Sequence, residues 1–192
     1  MKRLTLLALV LFSSLAVAQA PTRVRGIITG VSGDALMVKT ADGRDLQLQL
    51  TPDAQVVTPK TTTLEAFKPG SFVGVTSLKN SDGRLVAKRV HALGPQVPSG
   101  HMPWDSIPDS LMTNANVESM AQVSGGHELV LKYKDGEQKI IVTPETQYFI
   151  FVPGTKDDLK PGETIFAGAR VEGDKLVAPR IAVSKDGIKP PQ

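Results

Sequence analysis

Three histidines, His91, His101 and His127, are the only imidazoles in the 192-residue chain, and with Asp105 they could supply nitrogen and oxygen ligands to a zinc ion. Their spacing does not preform a site. No two of the histidines stand two or four positions apart, the separations that set two ligands on one face of a strand or a helical turn. His91 closes a strand-like run, His101 lies in a proline-rich stretch and His127 falls in a turn, so His101 and Asp105 are the one pair that local structure could bring together. Absence of cysteine removes thiolate ligands, cysteine nucleophiles and disulfides at once. No nucleophile elbow G-x-S-x-G, no H-E-x-x-H, no phosphate loop and no dinucleotide fingerprint occurs. Asp157 and Asp158 are neighbouring acids, but they stand just before Lys160, Pro161 and Gly162 and suit the first turn of a short helix, where carboxylates meet free backbone N–H groups. These patterns predict a non-enzyme without a cofactor, with His101 and Asp105 as the only metal candidates.

Binding chemistry is better represented. Arg23, Arg25, Arg84, Lys88 and Arg89 could form an anion-binding face in the first half of the chain. Nucleic-acid binding by a small barrel also wants aromatic side chains on which bases stack. The first half has none on its second or third predicted strand and the second half has only Tyr133, which argues against nucleic acid and leaves an anionic glycan or lipid headgroup. Ten basic residues face six acidic ones between positions 21 and 99, and ten face thirteen between 100 and 192, so the two halves carry opposite net charge and are expected to touch each other or to hold different partners.

The first twenty residues, MKRLTLLALVLFSSLAVAQA, have a basic start, an apolar core from Leu4 to about Leu15 and small residues at Ala16, Ala18 and Ala20, the pattern of a secretory signal. Cleavage is expected after Ala18, because a cut after Ala20 would place Pro21 at the new terminus. The apolar core is shorter than the ~20 residues a membrane span requires, and no later segment is apolar enough to be one. The expected location is the periplasm, with an unknown protein or glycan partner outside the cytoplasm.

What must position these residues is an internal repeat. VSGDALMVKTADGRDLQLQLTP from Val31 answers VSGGHELVLKYKDGEQKIIVTP from Val123, LEAFKPGSFV from Leu64 answers KDDLKPGETI from Lys156, and LVAKRV from Leu85 answers LVAPRI from Leu176. Within a copy, Leu46, Leu48 and Leu50 alternate with Asp45, Gln47 and Gln49, the period of a half-buried strand. The Asp-Gly pairs at Asp42–Gly43 and Asp135–Gly136 mark hairpins. A short helix is expected over TTLEAF, stopped by Pro69 and Gly70, with strands over about Phe72 to Lys79 and Arg84 to Ala92. Three strands, a short helix and two strands is the order of an OB barrel; an SH3-like barrel or an open sandwich would show similar periodicity. Gly26 and Gly30 interrupt the first strand, where they are expected to bend it.

The scheme of V-x-G, an ADG or KDG hairpin, T-P-[DE]-[AT]-Q, K-P-G and L-V-A-x-[RK]-[VI] resembles bacterial exported domains of unknown function with an OB-like barrel. The linker, with Pro103-Trp104-Asp105 and then Met112-Thr113-Asn114-Ala115, resembles a double-domain subset whose members sometimes carry the label metal ABC transporter permease. That resemblance implies at most a neighbourhood with metal uptake, since a permease needs several apolar spans. The expected organisation is all-β: a signal peptide at 1–18, a first OB-like barrel at 21–93, a proline-rich linker at 94–112, a second OB-like barrel at 113–185 and a tail at 186–192. Pro95, Pro98, Pro103 and Pro108 predict a stiff, extended linker, with Trp104 and Asp105 as an interdomain or partner contact. The expected function is that of a non-catalytic exported binding or scaffold protein. The alternatives are an accessory metal-binding protein of an uptake system and a sheet-face binder of an anionic polymer or glycan.

Overall fold

A computed structural model describes residues 22–191. The expected signal peptide and its expected cleavage point lie outside the described residues. The described residues form twelve strands: β1 (Thr22–Ser32), β2 (Ala35–Thr40), β3 (Asp45–Thr61), β4 (Phe72–Lys79), β5 (Leu85–Ala92), β6 (Gly100–Trp104), β7 (Ser110–Val123), β8 (Gly126–Tyr133), β9 (Gly136–Val142), β10 (Gln147–Pro153), β11 (Thr164–Glu172) and β12 (Lys175–Val183). Among the described residues no helix is long and apolar enough to cross a membrane.

Alternation sets the strand faces. In β3, Leu48 and Leu50 are buried and Gln47 is exposed. In β1, Val24 and Ile28 point inward, while the apolar outer positions Ile27 and Val31 stay 48% and 43% exposed. Gly26 has a packing reason: a Cβ there would lie 2.3 Å from the Lys39 carbonyl oxygen of the neighbouring β2. The bend falls slightly later, at a bulge between Ile28 and Gly30. The β2–β3 reversal uses Gly43 at φ +83°, with Thr40 N–H donating to the Arg44 carbonyl and Gly43 N–H to the Thr40 carbonyl. The β8–β9 reversal needs only Lys134 and Asp135.

The strands do not close where the sequence repeat suggests. β1, β2 and β3 form a closed five-strand barrel with β11 and β12, through antiparallel β1–β11 and parallel β3–β12 pairing. β7, β8 and β9 meet β4 and β5 in the same order, with β5 and β9 parallel at Leu85↔Ile140 and Val86↔Ile141. Each ring thus joins three strands of one copy to the last two strands of the other, and neither 21–93 nor 113–185 is a self-contained barrel. The cause is visible in β3. Its seventeen residues, irregular against β12 between Leu50 and Gln55, continue past the rim of their own ring, so the chain delivers β4 and β5 to the far side. The overshooting end, Val57–Thr61, pairs antiparallel with Phe149–Pro153 of β10. Pro59 faces Phe151, its own counterpart in the repeat, so a pseudo-twofold axis passes between them.

Two hydrophobic cores follow from this exchange. One combines Val24, Ile28, Leu36, Leu48 and Leu50 with Ile165, Ile181 and Val183; the other combines Val73, Val75 and Val90 with Val117, Leu129, Leu131 and Ile140. The predicted helix between the third and fourth strands is only a 3-10 turn, Leu64–Ala66, matched by Lys156–Asp158. The segment is too short to do more before Gly70 and Gly162 turn it back at φ +93° and +96°. Each turn ends in a plug for the exchanged ring: Phe67 is 2% exposed in the second core and Leu159 is 6% exposed in the first. Asp158 caps its turn, its carboxylate accepting the Thr155 N–H at 2.9 Å and a Lys185 ammonium contact at 2.9 Å.

Candidate functional site

The segment expected to be an extended linker is shorter and differently built. Only residues 93–99 join the strands, because Gly100–Trp104 pairs as β6 with Ser110–Asn114 of β7, making a hairpin on the edge of the second ring. Its loop, residues 105–109, ends at Asp109 with φ +59°, and the Ser110 hydroxyl reaches the carbonyls of Ile107 at 2.7 Å and Trp104 at 3.2 Å. The hairpin tip points back at the first ring. Asp105 accepts two hydrogen bonds from the Arg25 guanidinium, both 2.9 Å, across 80 residues of sequence, and Arg23 approaches it at 3.5 Å. The Arg23 guanidinium carbon lies 4.0 Å from the centre of the Trp104 ring. Arg25 sits between two aromatic rings, 5.3 Å from Trp104 and 5.2 Å from Phe166, its cross-strand partner in β11.

This cluster is an electrostatic latch between the rings. A bidentate, charge-assisted pair is stronger than an ordinary surface ion pair, and cationic stacking on tryptophan adds about 0.5–2 kcal/mol. The Arg25 hydrogen bonds hold the Asp105 carboxyl below the usual carboxylate range. Trp104 itself is half-buried, and its indole Nε1 is enclosed without a hydrogen-bond partner. The rings are also joined by β3–β10 pairing, so the latch reinforces an orientation that backbone hydrogen bonds already fix. Trp104→Ala is therefore expected to lower unfolding free energy by about 1–2 kcal/mol and to leave the solution scattering profile unchanged; a swollen, flexible profile would show that the indole alone sets the ring orientation.

The sequence-predicted anion face does not assemble. Arg23 and Arg25 are committed to Asp105, and Arg84 pairs with Glu128 at 3.2 Å. Lys88 is exposed at the β4–β5 bulge, while Arg89, the next residue, is half-buried and lines a cleft. The histidines are dispersed as well. His101 Nδ1 is 2.8 Å from the Thr113 hydroxyl, whereas Asp105 turns to Arg25; four residues along extended chain set them roughly 13 Å apart. His127 sits at the β7–β8 reversal. Among the described residues no group of three or more histidine or acidic side chains is placed to hold a metal ion.

His91 is the unexpected titratable group. It projects outward from β5 over Gly74, where a Cβ would stand 2.6 Å from its ring, and meets Phe151 edge-on with centroids 6.2 Å apart. Its Nδ1 is buried without a partner. Desolvation, then the charges of Arg180 and Arg89, pull its pKa down to about 4. Because the folded value lies below that of an unfolded histidine, the contribution to stability is complete above about pH 6.5 and is lost as pH falls toward 4. Urea titrations across that window should show an excess slope of up to one proton, about 1.4 kcal/mol per pH unit, and His91→Phe should flatten it. An unchanged slope in that variant would remove His91 as its source.

A second feature was legible only as a repeated arginine. Arg89 in LVAKRV and Arg180 in LVAPRI occupy the same place in the two copies, paired in parallel register with Gln147 and Gln55 respectively. Arg180 lies over Phe151, 5.2 Å from the ring centre. Arg89 instead opens into a cleft of about 490 Å³ walled by β10, the end of β3 and the tail at 187–191. The residues of that wall outside the repeat landmarks, above all Lys189, carry no sequence signal of their own.

Comparison with protein-family models, with curated proteins and with solved structures finds no match to this chain.

Proposed function

We propose that this chain is a non-catalytic exported binding or scaffold protein built from two interlocked OB-like barrels and working in the periplasm. The observation that carries the reading is the reciprocal exchange of β4–β5 and β11–β12 between rings whose interiors are filled with aliphatic side chains. An exchange of this kind ties two barrels into one body, so the outer faces keep a set distance and angle without a disulfide. That suits a protein whose work is to present surfaces. The strand order around each ring, first, second, third, fifth and fourth with third and fifth parallel, supports the OB-like description. Export is supported by the basic start, apolar core and A-x-A sites of the first twenty residues.

The test is fractionation of cells producing the chain with a C-terminal tag. Mature protein starting at Gln19 is expected in the periplasmic fraction, together with a partner that survives washing in defined stoichiometry. Met1 retained on membrane-embedded material would overturn the export reading.

A further inference from the structure

We infer that the cleft beside Arg89 is a binding site for a small polyhydroxylated organic acid, of the chemical class of a sugar carboxylate. The inference rests on the reading of the chain as a binding protein and names a ligand class for it.

Charge is the first argument. Arg89 and Lys189 both line the cleft, and no aspartate or glutamate does. Most other arginines in the described chain have a carboxylate: Arg23 and Arg25 share Asp105, Arg44 takes Asp42, Arg84 takes Glu128 and Arg170 takes Glu172. Arg89 has no ion-pair partner among the described residues although it is half-buried, and burial pulls its guanidinium below the usual range. A partly desolvated guanidinium facing a cavity with no counter-charge among the described residues is matched by an anion, for which its planar fork is the natural receptor.

Symmetry is the second argument. The other half of the molecule repeats the backbone around Arg180, yet there Phe151 stacks on the guanidinium. On the Arg89 side the tail folds over the strand ends instead, with Pro190 and Pro191 buried and Lys185 and Ile188 bridging the turn. The tail thus supplies both a wall and a second cation to one of two otherwise equivalent arginines.

The rest of the lining defines the body of the ligand. Thr61, Thr62, Gln147 and Tyr148 bring hydroxyl and amide groups, and Phe149 with Pro190 brings flat apolar surface. Alternating hydrogen-bonding and apolar walls fit a pyranose-like ring better than a bare inorganic anion or a hydrocarbon chain. A cleft of about 490 Å³ is of a size that holds one such molecule, within the usual range for small-ligand sites.

The experiment is calorimetric titration of the purified mature protein with glucuronate, a short oligogalacturonate, inorganic phosphate and glucose. Saturable 1:1 binding of glucuronate is expected, with phosphate weaker and glucose silent. Arg89→Gln should weaken the glucuronate complex by at least about tenfold, as expected for loss of a charge-assisted contact, and Lys189→Gln by several-fold. Arg180→Gln, at the symmetry-related position, should leave affinity unchanged and controls for general damage. Equal affinity for the monomer and the oligomer per site would assign a free sugar acid, and binding of the oligomer alone would assign a polymer end; both support the site. Absence of saturation by either uronate up to millimolar concentration, or binding that Arg89→Gln and Lys189→Gln leave intact, would overturn it. Because the assay uses folded protein in solution, its failure is separable from a failure of the export test.

Discussion

Residues 22–93 made alone will not give a folded monomer, whereas a full-length mature chain nicked between Gln96 and Val97 will stay together as one folded particle. The first closed barrel takes β11 and β12 from the distant half. Without them Val24, Ile28, Leu36, Leu48 and Leu50 lose Ile165, Ala167, Ala169, Ala178, Ile181 and Val183 from their core. Each large aliphatic side chain so exposed forfeits about 1.5–3 kcal/mol, and the total is as large as the roughly 5–15 kcal/mol of net stability a domain has. The orphaned β4–β5 hairpin meanwhile exposes Val73, Val75 and Val90. Two copies of the fragment could satisfy one another by exchanging these hairpins, so a dimer or an unfolded chain is consistent with the structure. Sedimentation and amide dispersion of the isolated fragment decide the matter: a cooperative, monomeric fold of 22–93 would mean that each repeat closes on itself. The nicked chain should elute at its uncut mass, because the cut falls in the short segment between β5 and β6 and severs no core contact.

Leu48→Ala and Ile140→Ala should each cost about 2–5 kcal/mol, and both variants should unfold in one transition. The two residues hold the same place in the two rings. Leu48 faces Leu36 on one side and Leu176 on the other, and Ile140 faces Leu129 and Leu85, so each stands where a third strand closes on an exchanged fifth strand. Both are 0% exposed. Their costs should add, since they lie in separate cores. The single transition follows from the exchange: each ring closes on strands of the other half, and β3 of the first ring is paired through β10 to β5 of the second. Urea melts followed by far-ultraviolet dichroism give both numbers. Losses below half a kcal/mol at both positions would contradict the burial, and two separate transitions would contradict the interlock.

Most local structure was legible in the residues. The alternation of Leu46, Leu48 and Leu50 placed a strand, and the runs around Phe72–Lys79 and Leu85–Ala92 placed two more, because a half-buried strand must repeat every second residue. Turn chemistry at Gly43, Gly70 and Gly162 was legible for a comparable reason, as positive φ favours glycine. The candidate site was less so. Trp104 and Asp105 stood out by type, yet Arg23 and Arg25 read as a free cationic face because their partner lies 80 residues away. His101 and Asp105 looked like neighbours in sequence, but His101 lies within the edge strand and Asp105 in the loop beyond its end, and each has a different partner.

What the residues determined by themselves is most of the strands and their buried faces; β6, inside the stretch expected to be linker, was not among them. Which strands share a barrel was decided only in three dimensions. The two copies have nearly the same alternation in their last two strands, so LVAKRV and LVAPRI present equivalent inward faces to either ring, and no local preference distinguishes an exchanged closure from a self-contained one. The choice falls to connections: β3 continues as one strand through Thr61, its overshoot pairs with its own counterpart in β10, and β4–β5 is carried beyond reach of the ring it follows. Once that pairing forms, the repeated arginines acquire different surroundings, one covered by Phe151 and the other facing a cleft beneath the tail, a distinction that two nearly identical hexapeptides cannot encode.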